Sequence, residues 1–161
     1  MFDENKYRLK IYDDIKIAAN YLIVEFNKDK NVEKIKIIGS ISRPLSKEIV
    51  KSGKYKGKLL YHNCKDLDLL IWFSNLNELE KLRKSRFIAL NKLLDEKNIG
   101  IAHHQIEIFI VDSLTDKYVG RFCFYKKCPN NKIECIQKDC GKVKLLKKDN
   151  EDFIFDLKNL K

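Results

Sequence analysis

Asp66 and Asp68 stand one residue apart at the head of an apolar run, Lys65-Asp66-Leu67-Asp68-Leu69-Leu70-Ile71-Trp72-Phe73. On a strand, side chains alternate between faces, so the two carboxylates would share one face. Held side by side they repel. A divalent cation removes that penalty, and hard carboxylate oxygens suit Mg²⁺ or Mn²⁺. Solvated surface acids show the same spacing, so the pair takes its meaning from two neighbours. Upstream, a short strand over 32–38 runs straight into Gly39-Ser40, and Ile41-Ser42-Arg43-Pro44-Leu45 reads as the start of a helix with Pro44 in its first turn. Strand, Gly-Ser, helix start is a recipe for holding phosphate: the glycine admits close approach, the Ser40 hydroxyl donates, and the helix end favours negative charge. An ordinary strand-to-helix turn would use the same residues.

Downstream, His103-His104-Gln105-Ile106-Glu107-Ile108-Phe109-Ile110-Val111-Asp112 alternates and then turns apolar. Glu107 lies between two isoleucines of a sheet-like stretch, where a carboxylate is costly without a partner. Next to the strand of Asp66 and Asp68 it would be a third oxygen ligand of one metal site. Facing water in company with Gln105, which shares its parity, it would be a solvated acid.

These residues need elements to place them. Ile11, Ile15, Ala18, Leu22 and Phe26 form a stripe at helical spacing, predicting a helix over 7–26. A further helix is expected over 76–96, with Leu79, Leu82, Leu90, Leu93 and Leu94 in the core, Asn75 or Asn77 as its cap, and Asn98-Ile99-Gly100 as its end. The resulting order is helix, strand, helix, strand, helix, strand. It predicts an α/β fold: a small mixed sheet, helices on one face, and the three acids at one edge. Between Ser40 and Asp66 lies Lys51-Ser52-Gly53-Lys54-Tyr55-Lys56-Gly57-Lys58, read as a basic flap over nucleotide or nucleic acid or as a plain solvated loop.

Gly39-Ser40, Asp66-x-Asp68 and Glu107, taken in order, resemble the DNA polymerase beta-type nucleotidyltransferase superfamily, over roughly residues 7 to 112. Within it the chain looks most similar to small stand-alone nucleotidyltransferase-domain proteins of unassigned substrate, some with a similar His-His-Gln-Ile-Glu strand and a cysteine-rich tail. The resemblance implies a polymerase beta-like fold and metal-dependent transfer of a nucleoside monophosphate from a nucleoside triphosphate to a hydroxyl, with release of pyrophosphate. Asp66, Asp68 and Glu107 would be the catalytic acids, holding two Mg²⁺ or Mn²⁺ ions, and Glu107 would help to deprotonate the attacking hydroxyl. Gly39, Ser40 and Arg43 would bind the triphosphate. The minimal pattern reads Gly-Ser-x-Ala-Arg-Gly. Here Arg43 matches, Pro44 replaces the second glycine, and the gap to Asp66 is longer. The acceptor is not specified by these residues; RNA and a protein hydroxyl are among the candidates. A nucleotide- or nucleic-acid-binding module that kept the fold and lost the chemistry is the alternative.

The tail changes character, giving a first domain over 1–118 and an extension over 119–161. Cys123, Cys128, Cys135 and Cys140 are spaced C-x4-C-x6-C-x4-C. Four thiolates suit a tetrahedral Zn²⁺ that would staple a segment with little core of its own. An iron–sulfur cluster, disulfides, or reduced buried thiols would fit the same count. His62, His103 and His104 all lie near the acidic motifs and read as hydrogen-bonded structural residues or substrate contacts.

With 161 residues, 44% hydrophobic and 11% aromatic, the chain is of one-domain length and well above the composition of a disordered chain. No run reaches membrane-spanning length and no signal-peptide pattern opens it, so the expectation is a soluble, cytoplasmic protein with no membrane partner. Its net charge of +10 favours polyanions, but most of the excess is scattered lysine.

Overall fold

A computed structural model describes residues 2–123 and the backbone of 146–147. Helix α1, Glu4–Phe26, starts where the Asp3 carboxylate accepts from the N–H groups of Asn5 and Lys6, satisfying two of the donors that a helix start leaves open. Its apolar stripe buries Tyr12, Ile15, Ala18, Ala19, Leu22 and Phe26. Strand β1, Val32–Ile38, follows after a short turn and leads into a single 3-10 turn at Ser40–Ser42.

No helix follows that turn. The residue before a proline is pushed out of the helical region, and Arg43 accordingly sits extended at φ −98°, ψ 151°. The chain instead forms a hairpin, β2 at Lys47–Ile49 and β3 at Leu59–Tyr61, paired Lys47 to Tyr61 and Ile49 to Leu59. Its lysine-rich end is a folded turn: the Gly57 N–H donates to the Val50 carbonyl at 2.8 Å and the Val50 N–H to the Lys58 carbonyl at 2.9 Å. Two contacts fix the hairpin base to α1. Asn5 Oδ1 accepts from the Tyr61 N–H (2.9 Å), and the Arg8 guanidinium donates to the Tyr61 carbonyl (2.7 Å).

Strand β4, Leu67–Phe73, and strand β5, Ile106–Asp112, are joined by α2, Glu80–Lys97. A 3-10 turn at Leu76–Glu78, capped by Asn75, precedes α2, and Asn98 ends it in the left-handed region at φ 54°. Leu79, Leu82, Ala89 and Leu93 pack inward with Leu90 partly buried, whereas Leu94, expected in the core, is 49% exposed. Glu25 of α1 is buried beside α2. It accepts from Lys28 (2.7 Å) and Lys92 (3.1 Å), which hold its carboxyl below the ordinary range.

β1, β4, β5 and β6 (Lys117–Phe122) lie in that order in one mixed sheet, extended by the two-residue β7, Leu146–Lys147. β4 and β5 are parallel; the other neighbours are antiparallel. β6 runs unbroken across residues 118 and 119. Leu67, Leu69, Ile71 and Phe73, with Ile106, Ile108 and Ile110, pack against both helices. Ile38, Leu70, Trp72, Phe109 and Val111 form a smaller cluster on the other face. The α/β class and the helices on one face of a mixed sheet are therefore as expected. Among the described residues no helix is long and apolar enough to cross a membrane.

Candidate functional site

Because Leu67 and Leu69 point to the helices, alternation turns Asp68 to the face that carries Leu70 and Trp72. The same parity on β5 puts Glu107 with Phe109 and Val111. Register then decides whether the acids meet, and it does: Asp68 is the direct partner of Glu107 across the parallel β4–β5 pair, where neighbouring strands lie about 4.8 Å apart. Asp66 sits exposed just before β4. The 3-10 turn at His103–Gln105 helps to fix both strand entries. Gln105 accepts from the Ala102 N–H (2.9 Å) and donates to the Lys65 carbonyl (3.1 Å), bridging the chain just ahead of Asp66 to the start of β5.

The Gly-Ser motif arrives from the opposite side. Ile38, the last residue of β1, pairs with Asp68, and Gly39 turns the chain at φ 74°. A Cβ on Gly39 would come within 2.5 Å of Asp68 Oδ2. Glycine is thus required twice, for the backbone angle and for the carboxylate behind it. In the turn that follows, the Ser42 N–H and hydroxyl both donate to the Gly39 carbonyl, at 3.2 and 2.6 Å. Arg43 lies at the surface, half-exposed and 3.7 Å from Glu48 of β2.

Burial raises the Asp68 carboxyl from its ordinary 3.8 to about 6, helped by the negative charges of Glu107 and Asp66 and opposed by Arg121. Arg121 of β6 donates to Glu107 Oε1 at 2.6 Å and covers the Phe109 ring at 5.2 Å. No local pattern in the sequence singled out this arginine. Its place depends on the β5–β6 register, which shifts by an irregularity between Ile110 and Val111.

The histidines divide. His62 is buried; Nε2 lies 3.3 Å from the Ser40 carbonyl, and Nδ1 lies 3.2 Å from the Ser46 N–H. His103 and His104 are exposed in the turn before β5. Partial desolvation of the His103 ring, with Arg86 nearby, holds its imidazole below the ordinary pKa.

Gly39, Ser40, Asp66, Asp68 and Glu107 thus converge at one end of the sheet, while Arg43 is turned toward the hairpin. Among the described residues no three His, Cys, Asp or Glu side chains are gathered as a ready metal cage. Cys123 is half-buried just after β6; the expected zinc ligands Cys128, Cys135 and Cys140 lie outside the described residues. Comparison with protein-family models, curated proteins and solved structures found no match.

Proposed function

We propose that the chain is a metal-dependent nucleotidyltransferase of the polymerase beta-like kind, moving a nucleoside monophosphate from a nucleoside triphosphate to a hydroxyl with release of pyrophosphate. The observation that carries the reading is the Asp68–Glu107 register pair, on the face away from the helices, with Gly39 backed onto Asp68. The donor set fits a hard divalent cation. All three acids offer oxygen, and the burial and like-charge repulsion that raise the Asp68 carboxyl are the penalty such an ion would offset. Mg²⁺ or Mn²⁺, held by Asp66 and Asp68 with Glu107 as third acid, would supply stabilisation of the negative charge on the reacting phosphoryl group.

The remaining roles belong to the chain itself. Glu107 would accept the proton of the attacking hydroxyl. Ser40 would donate its hydroxyl to the triphosphate, and Gly39 would let the phosphates approach the backbone. Arg43, its guanidinium in a long and half-exposed pairing with Glu48, would swing to the leaving pyrophosphate. The acceptor is a hydroxyl of RNA, of a protein or of a small molecule.

One observation favours a second reading, a nucleotide- or nucleic-acid-binding module without chemistry: Glu107 is already paired with Arg121. Thermal-shift measurements with the four ribonucleoside triphosphates, each with and without Mg²⁺, separate the two. Ligand at a hundredfold over its dissociation constant adds about 2.7 kcal/mol. The enzyme reading expects a shift that needs Mg²⁺ and disappears in Asp66→Asn/Asp68→Asn. A shift independent of Mg²⁺ and retained in that variant belongs to the binding module, and no shift with any nucleotide refutes the enzyme and leaves a module that binds nucleic acid.

A further inference from the structure

The Ser40 loop has no helix behind it, so something else must hold its shape. Two side chains from distant parts of the chain do so. His62, between β3 and β4, is almost fully buried, its ring edge-on to Tyr12 of α1 with centroids 6.3 Å apart. The carbonyl of Ser40, 3.3 Å from Nε2, can only accept, so a bond there requires a hydrogen on Nε2. Nδ1 lies 3.2 Å from the Ser46 N–H and 3.3 Å from the Ser46 carbonyl, which already accepts from the His62 backbone N–H at 2.9 Å. A hydrogen on Nε2, with Nδ1 accepting, therefore gives both the Ser40 carbonyl and the Ser46 N–H a partner. Tyr12 completes the hold, its hydroxyl donating to the Arg43 carbonyl at 3.2 Å. The two rings thus grip the loop at three backbone points between Ser40 and Ser46.

We propose that His62 is a positioning residue for triphosphate binding: its Nε2–H, bonded to the Ser40 carbonyl, sets the orientation of the Ser40 loop toward the phosphates. The inference rests on the nucleotidyltransferase reading of the site. Its chemistry is specific to one ring nitrogen. A trans peptide sends its carbonyl and its N–H in opposite directions, so fixing the Ser40 carbonyl on His62 also fixes the Ile41 N–H on the side away from the imidazole. Loss of that bond frees the peptide to rotate, and the Ser40 hydroxyl loses its fixed frame. The bond to Ser46 contributes to holding the hairpin and not to the phosphates.

Glutamine and asparagine separate the two roles. The glutamine amide reaches the position of Nε2; the asparagine amide stops near Nδ1. The full-length protein and its His62→Gln and His62→Asn variants are titrated with inorganic tripolyphosphate in Mg²⁺ and with the Mg²⁺–nucleoside triphosphates, alongside thermal melts. A hydrogen bond of ordinary strength predicts a loss of about tenfold in tripolyphosphate affinity for His62→Asn and less than about threefold for His62→Gln. Both variants should melt lower than wild type by similar amounts. Equal affinity losses in the two variants, or losses that follow the melting temperatures, overturn the positioning role and leave a packing residue.

A second measurement does not depend on nucleotide. Ring ¹⁵N shifts of His62 in the wild type should report a hydrogen on Nε2; a hydrogen on Nδ1 alone overturns the proposal. If the wild type has the Nε2–H form yet binds neither tripolyphosphate nor any nucleotide, the nucleotidyltransferase reading has failed, and the role of His62 in phosphate binding falls with it.

Discussion

Asp68→Asn removes a charge that the fold holds at a cost, so the variant should be more stable than wild type at neutral pH. Burial and two neighbouring acids raise the Asp68 carboxyl from 3.8 to about 6. Between those values the folded chain holds a proton that the unfolded chain has released, so stability falls as pH rises through that window. At about 1.36 kcal/mol per pH unit the rise corresponds to about 3 kcal/mol. Asp68 is only half-buried, and solvent screening cuts this to about 1–2 kcal/mol. The isosteric amide escapes the penalty, which for a chain of this size means a melting temperature higher by roughly 2–8 °C at pH 7.5. At pH 4 the wild-type carboxyl is protonated in the folded state and the two proteins should melt nearly together. Circular dichroism melts at both pH values test this without any assumption about function. An asparagine variant less stable than wild type at pH 7.5, or a difference that does not change with pH, would refute the electrostatic account of the site.

Three further outcomes follow from the same geometry. Gly39→Ala meets both a positive φ and the Asp68 carboxylate; a loss of about 2–3 kcal/mol in denaturant unfolding is expected, and Asp68→Ala in the same chain should restore only part of it. Arg121→Met removes a half-exposed ion pair worth about 0.2–1 kcal/mol, and an NMR titration should find the Asp68 carboxyl raised further, since Arg121 is the charge that opposes its rise. Tyr12→Phe keeps the ring against His62 but deletes the bond to the Arg43 carbonyl; a cost of about 1 kcal/mol is expected, with faster amide exchange confined to the loop between Gly39 and Ser46.

The long periodic elements were legible in the residues. β1 spans 32–38 as read, α1 starts three residues earlier than expected, and the parity of Asp66, Asp68 and Glu107 follows from the isoleucines and leucines between them. The hairpin was not legible. Its strands are three residues long, too short to show a period, and Leu45 and Ile49 lie four apart, as on a helix. Pro44 held the better signal, through the extended backbone it imposes on Arg43. The alternation from His103 onward predicts a strand that in fact begins only at Ile106, after a 3-10 turn. A leucine pair at 93 and 94 fits a broad apolar stripe, yet α2 turns only the first inward. Arg121 and the grip of His62 on Ser40 depend on contacts across 14 and 22 residues, which a local pattern does not encode.

Asp68 and Glu107 are 39 positions apart in the chain, and Ile38, which delivers Gly39, is 30 positions from Asp68. No local fragment therefore contains the site. It comes into being only when two long-range pairings have closed around one central strand, the slowest kind of contact for a chain to find. A slip of one residue in β4 would turn its acids to the helices and its leucines to the other face, so burial of the leucines and placement of the acids are selected together. A ligand that needs both acids recognises only chains whose pairing is finished, and it stabilises those alone. Binding at this site would act as a check on folding, drawing correctly paired molecules out of any mixture with misregistered ones.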